Sequence, residues 1–164
     1  MMKTRLICPL IAAAALCATE SRAADWPQYN GPKFDRKSEE SFAPGNWKSG
    51  GPKQVWKIDC ADGFSSFVTG DGKAYTLVKG GDRERLVALD AETGREAWHL
   101  DLGEAKYHGG GHSGARDNKG GDGPRSTPVF NAGVVFVYDA HMHLYAVAAA
   151  TGKLVWKQSI GDDG

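Results

Sequence analysis

The sequence predicts an all-β chain assembled from a repeated four-stranded antiparallel unit, and three observations predict it. A short stretch occurs twice. Residues 88–98 read Ala-Leu-Asp-Ala-Glu-Thr-Gly-Arg-Glu-Ala-Trp, and residues 146–156 read Ala-Val-Ala-Ala-Ala-Thr-Gly-Lys-Leu-Val-Trp, at an offset of 58. Self-similarity of this kind marks a repeat architecture. Glycine is over-used, with 22 in 164 residues against a usual ~7%, and without the Gly-X-Y period of collagen. The segments between the glycines are β-branched and aromatic with period two, the pattern of half-buried strands.

The elements follow in chain order. Residues 1–23 read as a secretory signal peptide: Lys3 and Arg5 precede an apolar run from Leu6 to Ala18, and Ser21-Arg22-Ala23 places small residues for a cut after Ala23. The run is shorter than the ~20 residues of a membrane span, the alternative being a short uncut anchor. Leu16 before Cys17 argues against a lipid-modified cysteine. Residues 24–50 form an N-terminal extended segment. Residues 51–60 read as a lone strand, since Gly51-Pro52-Lys53-Gln54-Val55-Trp56-Lys57 is similar to Gly152–Lys157.

The first full unit covers 64–102 and the second 126–160. Ser65–Val68 matches Ser126–Val129, and Asp71–Tyr75 matches Ala132–Phe136, both at offset 61. The second unit is therefore three residues shorter in its middle. Second strands are expected at Lys73–Val78 and Val134–Tyr138, third strands at Leu86–Leu89 and Leu144–Val147, and fourth strands at Arg95–Leu100 and Lys153–Gln158. Gly72, Gly94, Gly133 and Gly152 fall where tight turns need positive φ. A Gly-rich loop, 103–125, joins the two units.

Composition narrows the function. Twenty basic and twenty acidic side chains cancel, which excludes the clustered Lys/Arg of a nucleic-acid-binding domain. A hydrophobic content of 41% excludes an acidic disordered tail. Beyond the signal peptide one cysteine remains, Cys60. It can form no internal disulfide and reads as a small apolar filler.

A unit with two alternating faces cannot bury both alone, whereas stacked copies can. A leading fourth strand without its first three suggests a closed ring, in which that strand completes the last unit and removes a free edge. The chain thus reads as the N-terminal part of a longer closed ring of such four-stranded units, two full units plus a leading strand.

The residues resemble a known family at this point. Ala88, Asp90, Thr93, Gly94 and Trp98 fit the pattern Ala-x-Asp-x-x-Thr-Gly-x-x-x-Trp, which is similar to the tryptophan-docking motif of pyrroloquinoline-quinone-type (PQQ-like) β-propellers. Ala146, Thr151, Gly152 and Trp156 repeat it, with Ala148 where Asp is expected. Asp25-Trp26-Pro27-Gln28-Tyr29-Asn30-Gly31-Pro32 resembles the opening of secreted bacterial members, and Gly123–Pro128 the opening of their second full blade. The resemblance implies a β-propeller of six to eight four-stranded blades, of which this chain holds about two plus a leading strand, in a periplasmic or secreted protein of one of two kinds. One is a non-enzymatic scaffold, akin to the propeller of outer-membrane β-barrel assembly, offering a face to a protein or cell-surface ligand. The other is a quinoprotein alcohol or sugar dehydrogenase holding PQQ and calcium. Those enzymes use adjacent cysteines beside the quinone, and Cys60 stands alone. No catalytic residue and no resident cofactor is assigned, and the expectation is the scaffold.

Physics accounts for the motif without the family. A Trp on the outermost strand can lie against the neighbouring blade, and burying most of an indole stabilises by about 2–3 kcal/mol. Its N–H needs an acceptor, which a backbone carbonyl supplies. Asp and Thr can hydrogen-bond turn backbone before the Gly.

The candidate chemistry lies on one expected face. In a propeller the loop from fourth strand to next first strand shares a face with the turn between second and third strands. That would gather His108, His112 and Asp122 with His141 and His143, as a possible zinc-type donor set, or merely as a polar loop and a solvated turn. Arg125 directly precedes an innermost strand. It is expected at the channel mouth, binding an anion bidentately or pairing with a neighbouring carboxylate.

Overall fold

The computed structural model describes residues 24–41, 51–105 and 123–161. The expected signal peptide, most of the 103–125 loop, and His108, His112 and Asp122 lie outside the described residues.

Eight strands form two four-stranded antiparallel sheets, each in simple sequential order. The first holds β1 (Val68–Gly70), β2 (Lys73–Gly80), β3 (Arg83–Asp90) and β4 (Glu96–Glu104). The second holds β5 (Val129–Asn131), β6 (Val134–Tyr138), β7 (His143–Ala148) and β8 (Leu154–Ser159). Residues 51–60, expected as a strand, carry no strand ladder.

The turns explain the order. Gly70 pairs with Lys73 and Asn131 with Val134, leaving the two-residue loops Asp71-Gly72 and Ala132-Gly133. All four residues have positive φ, from 46° to 78°. Two consecutive positive φ values define the primed turn whose twist matches that of the flanking strands. The three-residue length difference falls in the hairpins. The β2–β3 ladder runs from Lys73↔Asp90 to Gly80↔Arg83, while the β6–β7 ladder closes at Tyr138↔Leu144.

Each second hairpin ends in the repeated Thr-Gly turn. Gly94 N–H donates to Asp90 O at 2.8 Å and Gly152 N–H to Ala148 O at 2.8 Å, with φ of 70° at both glycines. A register shift follows in both sheets, between Ala88 and Leu89 and between Ala146 and Val147. This bulge increases local twist. It places Trp98 opposite Ala88 and Trp156 opposite Ala146.

The sheets pack face to face. Tyr75, Leu77, Leu86 and Leu102 of the first meet Val135, Val137, Tyr145 and Val147 of the second, all buried, with Trp98 and Phe130 against them. Tyr75 and Phe130 stack at 5.9 Å and 7° between planes. The other face of the first sheet buries Val78, Val87 and Leu89 under Trp56. The outermost strand of the second sheet, β8, leaves Leu154, Val155 and Trp156 exposed.

Candidate functional site

The site expected from sequence is the end of the sheets that carries the β2–β3 and β6–β7 turns. The structure does bring parts of consecutive units together there. His141, on the β6–β7 turn, reaches back to the first sheet, with Nε2 3.0 Å from Glu104 O. A carbonyl only accepts, so Nε2 carries the proton.

The organising groups are two carboxylates that sequence reasoning did not single out. Asp139 is buried at the end of β6. Its Oδ1 accepts the backbone N–H groups of His141 and His143, both at 2.9 Å. Its Oδ2 lies 2.9 Å from His143 Nδ1 and accepts the Tyr145 hydroxyl at 2.8 Å. Glu84, almost fully buried on β3, accepts Ala140 N–H at 2.9 Å across the sheet interface. Each carboxylate thus ties down the same turn, one from within its sheet and one from the neighbouring sheet. The signal for Asp139 was present in the sequence. An Asp two and four residues before turn N–H groups is a side chain positioned to cap them. For Glu84 there was none, because its acceptor role depends on which residue the neighbouring sheet sets opposite it.

Electrostatics agrees with this role. Burial pushes the Asp139 carboxyl upward, but the His143 backbone N–H, the Tyr145 hydroxyl and the His143 imidazole outweigh it, and the group titrates below its ordinary value. Tyr145 moves the opposite way: burial first, then the Asp139 carboxylate, raise its hydroxyl well above the usual phenol range. Gly103 is needed for the close approach, since a methyl there would sit 2.5 Å from Asp139 Oδ2.

Arg125 lies four residues before β5. Its guanidinium stacks 4.7 Å over the Phe64 ring, and Nη1 donates to Gly123 O at 3.3 Å. Phe64 N–H in turn donates to Pro124 O at 2.8 Å. The arrangement is a cation over an aromatic face at the junction of the two units.

The expected histidine cluster can be followed only for His141 and His143, and each directs a ring nitrogen to a protein acceptor. Among the described residues no group of three or more His, Cys, Asp or Glu could hold a metal ion. The donor chemistry also does not suit calcium, which takes six to eight oxygen ligands, because both Asp139 oxygens already accept protein hydrogen bonds. Cys60 is exposed and lines a cleft of about 310 Å³ between residues 58–61 and the first sheet, with Phe67, Val78 and Arg85.

The repeat residues form the second structural theme. Trp98 Nε1 donates to Ala149 O at 2.9 Å, and its ring lies against Gly152, where a methyl would come within 2.7 Å. Trp56 makes the same pair of contacts one unit earlier, with Nε1 3.0 Å from Ala91 O and the ring against Gly94. At the first turn Asp90 Oδ1 accepts Thr93 N–H at 2.8 Å and the Thr93 hydroxyl at 2.7 Å. These bonds hold the Asp90 carboxyl below its ordinary pKa.

A family model described as "Outer membrane protein assembly factor BamB" matches residues 48–161. The chain belongs to that family. Its two sheets are two blades of a partial β-propeller of PQQ-like repeats. Solved structures similar to it include a europium-containing methanol dehydrogenase, at 21% identity and a TM-score of 0.39 over 56% of this chain and 14% of that one. BamB from Moraxella catarrhalis matches at 17% and 0.36, over 56% and 22%. The quinohemoprotein alcohol dehydrogenase ADHIIG from Pseudomonas putida HK5 matches at 27% and 0.35, over 56% and 12%. The matched part of this BamB-family chain thus spans less than a quarter of each of these structures. No curated protein matches it. Among the described residues no helix is long and apolar enough to cross a membrane.

Proposed function

We propose that this BamB-family chain is part of a periplasmic or secreted propeller that acts as a non-enzymatic binding or scaffold module. The observation that carries this reading is the use made of the buried polar groups. Asp139, Glu84 and Tyr145 spend their hydrogen-bonding capacity on one turn and on the joint between two blades. A fully satisfied polar network of this kind rigidifies what it joins, which suits a rigid face for a protein or cell-surface ligand. Residues 1–23 are its cleaved signal peptide, and N-terminal sequencing of the exported protein is expected to start at Ala24.

The tryptophans act as docking residues from blade to blade. Trp56 and Trp98 each seat on a Thr-Gly turn and donate to a carbonyl three residues before its Gly. Trp156 is then the docking residue for a further copy of that turn.

The rival reading is a quinoprotein dehydrogenase, and a titration of the complete protein with PQQ and Ca²⁺ separates the two. A ligand that binds only the folded state, at a hundredfold excess over its Kd, stabilises by about 2.7 kcal/mol. The scaffold reading expects no shift in Tm. A saturable shift, with dye reduction by an alcohol or sugar, would replace it with the enzyme.

A further inference from the structure

The repeat pattern does not account for residues 24–31. Strands β1 and β5 each form one edge of their sheet, and a free edge is a template for pairing with another chain. One short segment meets the β1 edge and the β5 edge together. Thr69 N–H on β1 donates to Trp26 O at 2.9 Å, and Phe130 N–H on β5 donates to Pro27 O at 2.8 Å. Trp26 N–H returns a bond to Thr69 Oγ1 at 2.7 Å. Two consecutive carbonyls therefore serve two different sheets, and Pro27 has no N–H left to satisfy.

The segment is shaped for this role. Gly31 has φ of 78° and donates its N–H to Gln28 O at 2.9 Å. The Gln28 amide closes the turn from both sides, accepting Asn30 N–H at 2.9 Å and donating to Gly31 O. The Trp26 ring lies over Gly31 so closely that a methyl there would sit 2.6 Å from it. Ala24 N–H donates to Glu40 Oε1 at 2.5 Å, which anchors the start of the segment.

We propose that Trp26–Gly31 is a tethered peptide ligand. The edges of β1 and β5 form an acceptor site for an extended Trp-Pro peptide, and this strap keeps the site filled and the two blades joined. Recognition is by strand addition, with main-chain bonds giving affinity and the Thr69 hydroxyl fixing register.

Amide exchange tests it in the full chain. The Thr69 and Phe130 amides are expected to be protected, and to exchange about tenfold or more faster when residues 25–31 are deleted. A synthetic peptide of residues 24–32 is expected to bind the deletion variant saturably and to restore protection at both amides, while leaving the intact chain unbound. Unchanged exchange after deletion, or binding that leaves either amide unprotected, would overturn the proposal, as would equal binding to the intact chain. Should the deletion variant fail to fold, Gly31→Val in the intact chain gives the same reading. Faster exchange at Thr69 and Phe130, with Leu77 and Leu86 still protected, supports the strap, and unchanged exchange removes it.

Discussion

Trp98 and Trp156 stand at the same position of the same repeated turn, yet one indole is seated between the blades and the other is 41% exposed. Trp98 has Ala149 O and Gly152 to dock on. Trp156 has Phe136 of its own sheet, 6.1 Å away and tilted by 51°. The two tryptophans show that the motif specifies a plug and leaves the socket to the neighbouring unit. Trp98 can lie flat on the neighbouring turn because Gly152, with φ of 70°, has no side chain beneath the ring.

The largest expected effect breaks that comparison directly. Trp98→Ala is expected to destabilise by about 3–5 kcal/mol through lost burial and a cavity, and Trp156→Ala in this chain by about 1 kcal/mol or less. Equal losses in denaturant unfolding would mean that the two indoles are not in different environments.

Next comes the joint at the other end of the blades. Asp139→Ala leaves two turn N–H groups and the Tyr145 hydroxyl without their acceptor, at a cost of about 1.5–3 kcal/mol. The folded carboxyl titrates below its unfolded value. Its contribution is therefore present above the ordinary carboxylate pKa and is lost as pH falls through the folded pKa. Thermal melts between neutral and acid pH should show this loss in the parent and a flatter profile in the variant.

A finer comparison uses two glycines of similar φ. Gly152 and Gly133 have φ of 70° and 78°. A methyl on Gly152 would meet the Trp98 ring, while one on Gly133 meets nothing within 4 Å. Gly133→Ala should cost only the left-handed backbone, about 1–2 kcal/mol. Gly152→Ala should cost more and should also shift Trp98 fluorescence. Equal costs would show that backbone strain alone decides both sites.

The smallest effect compares the two Thr-Gly turns. Ala148 keeps the backbone bond of the turn to Gly152 without the carboxylate that Asp90 supplies to Thr93. Asp90→Ala should lower Tm slightly and Ala148→Asp should raise it slightly. The gain should fade in acid, because at the matching turn the Thr93 hydroxyl and N–H favour the ionised Asp90 carboxylate and lower its pKa, and protonation loses that preference. Shifts of the same sign would mean that the second turn has no room for the acid.

Much of the fold was legible in the sequence because it is local. Period-two alternation located β2, β3, β6 and β7, and Gly72 and Gly133 marked the tight turns, while the positive φ of Ala132 beside Gly133 had no sequence signal. The fourth strand of the first unit, β4, extended further than expected, to Glu104, since the ladder with β3 continues wherever a partner strand exists. The site was less legible. His141 and His143 were flagged as open donors, but the structure turns one toward Glu104 and the other toward Asp139.

The sequence by itself determined the repeat, the strand order within each unit and the places where only glycine turns the chain, because these rest on steric limits and hydrophobic period within a few residues. Tertiary structure decided the rest. It seated Trp98 on the turn of the next sheet, made Asp139 and Glu84 the clamps of one turn, and set Trp26 and Pro27 across two strand edges. Each of those outcomes is a contact between residues distant in sequence, where an unpaired buried polar group or an open strand edge carries a cost that no local pattern records.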